Sequence, residues 1–206
     1  MGREFWDERY GEAELTYGAE PNDFLRDMAP RIPPGRVLGL GEGQGRNAVH
    51  LATLGHAVTA MDQSPVGLAR ARELAASRDV AITTKVADLA EFDLGPTAWS
   101  GIISIFCHLP SALRQSLYPR CAAALAPGGV LILEAYTPGQ LEYGTGGPKE
   151  VDLLITLAEL RSLLPGLELE IGQELVREIR EGAHHHGLGA VVQVVARKPS
   201  GSTSLP

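Results

Sequence analysis

Short runs of apolar residues alternate along this chain with stretches whose apolar positions recur every three or four residues, which is the pattern of strands alternating with helices. Arg36 to Leu40 reads as a short buried strand. Gly45 to Leu54 follows with Ala48, Leu51 and Ala52 at helical spacing, and Gly55 stops it. His56 to Met61 is a second strand ending at Asp62. Ser64-Pro65 then supplies an N-cap and a first-turn proline for a helix to Ser77, with Leu68, Ala71 and Ala75 inward. Val80 to Val86 and Gly101 to Phe106 read as strands three and four, joined by a loop carrying Asp88 and Asp93 with little or no helix. Ser111 to Leu125 is helical in pattern and should break or kink at Tyr118-Pro119, where a backbone donor is missing. Pro127-Gly128-Gly129 should turn the chain into strand Val130 to Tyr136.

The last third has a different texture. Thr137 to Lys149 is a Gly- and Pro-rich loop, longer than a connector needs and of the kind that shapes or covers a site. Thr156 and Glu159 form a capping box for a helix through Leu164. Glu168 to Ile179 and Ala190 to Ala196 read as strands joined by a turn over Gly182 to Gly187, so they pair antiparallel. The expected fold is α/β: a doubly wound, seven-stranded, mostly parallel sheet closed by a C-terminal antiparallel hairpin.

Composition narrows the function classes. The chain has 206 residues, 44% hydrophobic and 21% charged, enough for one domain with a real core. Its net charge of −7 makes nucleic acid an unexpected partner. Two cysteines, Cys107 and Cys121, make no disulfide framework and have no zinc-ligand spacing. Residues 1 to 14 are too charged for a signal peptide, and no apolar run reaches membrane-spanning length. A cytoplasmic location, without membrane association, is expected; oligomeric state is open.

The chemistry gathers at Gly41-Glu42-Gly43-Gln44-Gly45, between the first strand and its helix. Glycines there let backbone approach a ligand while the helix N-terminus presents donors. Asp62, about 20 residues on at the tip of the second strand, is placed to accept bonds from a ribose diol. The plain alternative is a tight turn. Gly43, Gly45 and Ala48 also fit the dinucleotide fingerprint G-x-G-x-x-A, so an NAD(P)-dependent oxidoreductase is a rival. Glu42 would repel a pyrophosphate but attract the ammonium and sulfonium of S-adenosylmethionine, which favours the latter. A non-catalytic cofactor-binding regulatory module is the third reading.

Together these residues resemble the class I S-adenosylmethionine-dependent methyltransferases over most of the chain. Val37 to Gly45 is similar to their first motif, Val86-Ala87-Asp88-Leu89 to their adenine segment, and Leu125 to Gly129 to the turn before their fifth strand. Trp6 to Tyr10, Tyr17-Gly18, Gly45 to Ala48, His108 to Pro110 and Glu181 to Gly187 resemble the small tellurite-resistance and thiopurine-type branch. The resemblance implies a Rossmann-like fold whose cofactor contacts are Tyr17, Gly41, Glu42, Gly43, Asn47, Asp62, Gln63, Ala87, Asp88, Leu89 and Phe106, with Asp88 on the adenine amino group. An Asx turn or helix cap is the other reading of Asp88. Two departures stand out: Gly39 and Ser100 occupy positions that are usually acidic in the family, and Glu42 is the candidate to replace the first.

Methyl transfer from a sulfonium is an in-line displacement needing alignment and exclusion of water, with a base only where the acceptor arrives protonated. His108 is the first candidate to touch a small-molecule acceptor; otherwise it caps the next helix. His184, His185 and His186 cannot all face one point on a strand. The resemblance puts a substrate contact there, for which His184 and His186 are candidates; a solvated turn is the alternative. Phe5, Trp6, Tyr10 and Tyr17 form an aromatic cluster that reads as a lid or as a helix pinned to the core. The chain thus divides into one domain, 1–198, with a lid segment (1–30), a cofactor-binding core (36–137) and a substrate-side loop, helix and hairpin (138–198), followed by a tail (199–206).

Overall fold

A computed structural model of the chain describes residues 2–12, 15–182 and 185–201. The strands are β1 (Arg36–Leu40), β2 (Ala57–Asp62), β3 (Thr83–Val86), β4 (Trp99–Ile105), β5 (Leu125–Tyr136), β6 (Glu168–Glu181) and β7 (His185–Arg197). They form one sheet in the order β3-β2-β1-β4-β5-β7-β6. β1 to β5 run parallel, while β7 is antiparallel to both β5 and β6. The helices are α1 (Arg3–Tyr10), α2 (Asp23–Met28), α3 (Arg46–Thr53), α4 (Pro65–Ser77), α5 (Ser111–Ala124) and α6 (Leu157–Leu163). This is the doubly wound sheet with a closing hairpin that the pattern predicts.

Alternation along the central strands builds two cores. Leu38, Leu40, Ile102, Leu131 and Leu133 face one side, with Leu117, Tyr118, Cys121 and Leu160 of α5 and α6. Val37, Ile103, Val130 and Ile132 face the other, with Leu25, Ala48, Leu51 and Leu68 of α2, α3 and α4. Burial on both faces explains why these strands read as continuous apolar runs. The Ser64 side chain caps α4 by accepting from the Gly67 N–H at 3.0 Å.

Several local expectations change. The third strand starts at Thr83 instead of Val80: Val80 N–H still bonds the Ala75 carbonyl of α4, and β3 is a short edge strand. Helix α5 continues through Pro119, because Leu117, Tyr118 and Cys121 are buried around it and Arg120 anchors it to the Leu89 and Phe92 carbonyls. Packing outweighs the one lost backbone bond. The turn expected at Pro127–Gly129 lies within β5, where Gly128 N–H and Gly129 C=O pair with Lys198. Only half of the capping box forms: Thr156 accepts from Glu159 N–H, but the Glu159 carboxylate takes Arg114 instead. The closing strands run on to Glu181 and from His185, so Gly187 sits in the ladder. Residues 202–206 of the expected tail lie outside the described residues. Among the described residues no helix is long and apolar enough to cross a membrane.

Candidate active site

The segments that follow β1, β2, β3 and β4 meet at the C-terminal edge of the parallel sheet, the place where open α/β sheets hold ligands. A cavity of about 330 Å³ opens there. The four segments contribute Gly41, Glu42, Gln44, Gly45, Arg46 and Asn47; Asp62 and Gln63; Ala87, Asp88 and Leu89; and Phe106, Cys107, His108, Leu109 and Pro110. Trp6, Tyr10, Tyr17 and Gly18 close it from the N-terminal segment, and Leu113 and Leu153 from the far side.

The turn after β1 follows an unusual path. Gly41, Gly43 and Gly45 take φ of 62°, 51° and 80°, which side chains disfavour. The space beside them is filled by the protein itself. A methyl at Gly43 would lie 2.5 Å from the Tyr10 hydroxyl, one at Gly45 2.4 Å from Ala71 Cβ, and one at Gly41 2.6 Å from Cys107 Sγ. Gly43, expected as a ligand contact, does not line the cavity. Its N–H instead donates to Asp62 Oδ2 at 2.8 Å, while Asp62 Oδ1 accepts from Ser64 N–H at 2.8 Å. Asp62 thereby fixes the turn and the start of α4, and each oxygen keeps acceptor capacity for a ligand.

Glu42 explains the glycine at position 39. Its side chain folds back so that a methyl on Gly39 would fall 2.5 Å from Glu42 Cγ and Oε1. The carboxylate therefore occupies the space that an acidic side chain from the strand would fill, and it is steadied by the Ala48 N–H at 2.9 Å. Burial raises its pKa to about 7; the Ala48 N–H and Arg46 pull it down and Asp62 adds to the rise. Burial also raises Asp62, against the backbone N–H groups that lower it. Both carboxyls border the cavity with raised affinity for protons, set mainly by burial. Ser100 lies elsewhere: its hydroxyl donates to the Pro34 carbonyl at the opposite end of β4, so its departure from an acid does not touch the cavity.

Asp88 lines the cavity and also forms the Asx turn, accepting from Ala90 N–H at 2.8 Å. The Asx-turn reading of that residue holds, and the turn sets it at the border of the cavity. Phe106 and His108 bring rings to the cavity lining: Phe106 packs at 4.7 Å from Tyr136, and His108 stacks on Tyr136 at 5.5 Å with 12° between the planes. Phe106 takes a φ of 50°, a strained value for a bulky residue. His108 does not cap α5, whose N-cap is Pro110. Neither of its ring nitrogens has a well-formed hydrogen bond. Burial lowers its pKa to about 4, with Arg114 acting in the same direction and a backbone contact at Leu153 opposing it. In the lid, Trp6 stacks on Tyr10 at 5.4 Å, and Tyr10 is buried. The segment is both pinned to the core and part of the cavity wall.

His186 is exposed in β7, opposite Arg180, and does not line the cavity. His184 lies outside the described residues. Sequence reasoning missed Gln44, Arg46 and Leu153. Arg46 extends to Glu181, 135 residues away, and Leu153 comes from a single helical turn over Val151–Leu153. Leu153 has no periodic or motif signal, whereas Gln44 and Arg46 sit inside the glycine loop and the Gly45 to Ala48 segment, which do not say which of their side chains reach the cavity.

Residues 37–129 match the methyltransferase domain family. A 2-heptyl-1-hydroxyquinolin-4(1H)-one methyltransferase of Mycobacteroides abscessus is 29% identical over 152 residues, covering 68% of this chain and 67% of that protein. A solved structure described under the conversion of a disulfide bond into a thioacetal group during echinomycin biosynthesis superposes with a TM-score of 0.75 at 20% identity, covering 98% of this chain and 94% of that one. The 1,6-didemethyltoxoflavin-N1-methyltransferase of Burkholderia thailandensis, solved with S-adenosylhomocysteine, superposes with a TM-score of 0.61 at 22% identity, covering 86% and 79%. The nicotinamide reading finds no support among these. With the sheet order and the matched domain agreeing, the chain carries a methyltransferase domain over residues 37–129 and is similar to the class I S-adenosylmethionine-dependent methyltransferases.

Proposed function

We propose that this enzyme methylates a hydroxyl or thiol on a small, flat, uncharged aromatic ring, held between the ring wall and the lid. When bound, S-adenosylmethionine supplies an electrophilic methyl group on a sulfonium. In this reading the Glu42 carboxylate holds the cofactor's ammonium, Asp62 its ribose diol and Asp88 its adenine, with Gln63, Ala87 and Leu89 lining that end. Tyr17 and Trp6 exclude water above the reacting centre.

One observation carries the choice of acceptor. Of the described residues lining the cavity, Arg46 is the single arginine or lysine, and its guanidinium is already bonded to Glu181. Among the described residues an oxyanion would find no spare cation there and would face two carboxyls, whereas an aromatic ring would meet Phe106, His108, Leu109 and Leu113. The Mycobacteroides abscessus relative, named for a hydroxyquinolinone, is consistent with an acceptor of this kind. The test is transfer of labelled methyl to a panel of hydroxyquinolinones, phenols, aryl thiols, selenite and tellurite. Turnover should be confined to the rings; methylation of the oxyanions alone would overturn the proposal.

Glu42 makes a separate prediction. Its carboxyl titrates near 7 in the free enzyme and must be ionised to pair with an ammonium. Cofactor affinity should therefore rise about tenfold between pH 6 and pH 8 and release protons on the acid side. In Glu42→Gln, calorimetry should find weaker binding and a flat pH profile. Unchanged affinity in that variant assigns the ammonium to some other group.

A further inference from the structure

Resting on the aromatic-acceptor reading above, we infer that His108 is the residue that takes the acceptor's proton, so that the enzyme uses the neutral X–H form of its acceptor and does not depend on prior ionisation in solution. The geometry comes first. His108 lines the cavity, its two ring nitrogens are buried without well-formed partners, and its ring is held parallel to Tyr136. A buried imidazole left unsatisfied by its own fold is costly unless something else completes its hydrogen bonding. A hydroxyl or thiol donor on a ring lying against this wall does so.

The groups around His108 keep it neutral until it is needed. Arg114 is the neighbouring cation that disfavours imidazolium, and its own guanidinium is bound to Glu159 and to the Leu109 and Asp152 carbonyls. Tyr136, stacked on it, is itself held protonated by burial. S-adenosylmethionine, when bound, would add the positive charge of its sulfonium to the cavity. Before reaction the imidazole therefore accepts a hydrogen bond without taking the proton, and this aims a lone pair of the acceptor atom outward.

The charges balance through the step. The acceptor atom X forms its bond to the methyl carbon as the carbon–sulfur bond breaks, with that electron pair remaining on sulfur. X loses its proton to a ring nitrogen of His108. The positive charge that disappears from sulfur thus reappears on the imidazole, so the sulfonium's share of the repulsion fades as transfer proceeds, while burial and Arg114 remain to return the proton to solvent later. Proton transfer is coupled to methyl transfer, and the proton leaves to solvent after product release.

The test compares wild type, His108→Ala and His108→Asn with phenols of graded acidity. Wild-type kcat/KM at pH 7 should depend weakly on acceptor acidity. His108→Ala should lose about 100-fold or more with weakly acidic phenols, the usual scale for a removed proton acceptor. That loss should shrink for phenols already ionised, shrink again as pH rises through the acceptor's own pKa, and be relieved by added imidazole. Calorimetry with S-adenosylhomocysteine present supplies a readout independent of turnover: the phenol should bind more weakly to His108→Ala, while its methyl ether binds both proteins alike. Equal loss for all acceptors, or none, overturns the assignment. Failure of wild type to methylate any ring overturns the aromatic-acceptor reading itself, and retention of S-adenosylhomocysteine-induced thermal stabilisation in both variants shows that they remain folded.

Discussion

Asp62→Asn should lose at least 100-fold in affinity for S-adenosylhomocysteine and melt several degrees below wild type, although it changes one atom. Both carboxylate oxygens accept backbone N–H bonds, from Gly43 and from Ser64. An amide nitrogen can accept neither, so one buried N–H must face another donor. Leaving such a group unsatisfied costs about 1–3 kcal/mol, or roughly 2–12 °C at about 2–4 °C per kcal/mol in a chain of this size. The affinity loss has two sources. The proposed diol bond is made to an ion, worth about 1.5–3 kcal/mol, and the turn carrying Glu42 loses its anchor. A cofactor product lacking the 2′-hydroxyl separates them, because it should discriminate less between the two proteins. A lower melting point with unchanged affinity confines Asp62 to holding the turn.

The second large effect is remote from the motifs. Glu134 and Glu181, both buried, meet Arg46, Arg177, Asn22 and Gln193 in one polar cluster. Asn22 Nδ2 donates to Glu181 Oε1 at 2.8 Å, and Asn22 N–H donates to Asn47 Oδ1 at 2.9 Å. Gln193 Nε2 reaches Glu134 Oε1 at 2.7 Å, and Arg177 binds both acids. The cluster ties the N-terminal segment, α3 and the closing hairpin together beside the cavity. At its edge, a methyl on Gly182 would lie 2.5 Å from the Thr16 carbonyl oxygen, so the hairpin end presses directly on the lid.

Glu181→Leu removes the acid but leaves Arg46 buried and unpaired, a change that typically costs about 3–5 kcal/mol. The expected fall in melting temperature is about 6–20 °C. Because the cluster is buried, added salt should restore little of it. Adding Arg46→Met to that variant should recover part of the loss, since a paired removal is far less costly than a single one. A melting temperature within about 2 °C of wild type in Glu181→Leu would falsify the view that this cluster holds the lid segment to the sheet.

The local elements were legible in the sequence to the extent that neighbours in the chain decide them. β1 and the Ser64-capped helix start where the pattern puts them, because apolar alternation and a side-chain cap act within a few residues. The acidic turn and Asp62 were legible for the same reason: strand, turn and helix succeed each other directly. Pro119 defeated local reasoning, since the burial of Leu117, Tyr118 and Cys121 comes from distant elements. His108 and His186 were both candidates in the sequence, His108 the first of them; the structure puts His108 in the cavity wall and leaves His186 exposed on β7.

The sequence by itself determined the order of elements, the two-faced burial of the sheet and the presence of an acid in the first turn. Periodicity, capping and charge are properties of short stretches, and they keep their meaning whatever lies across the fold. Tertiary structure alone decided that Glu42 fills the space above Gly39, that Gly43 makes room for Tyr10, that Arg46 meets Glu181, and that His108 is buried without a well-formed hydrogen bond at either ring nitrogen. Each of these depends on depth below the surface and on which distant side chain arrives there, and both are set by how the strands are ordered and packed.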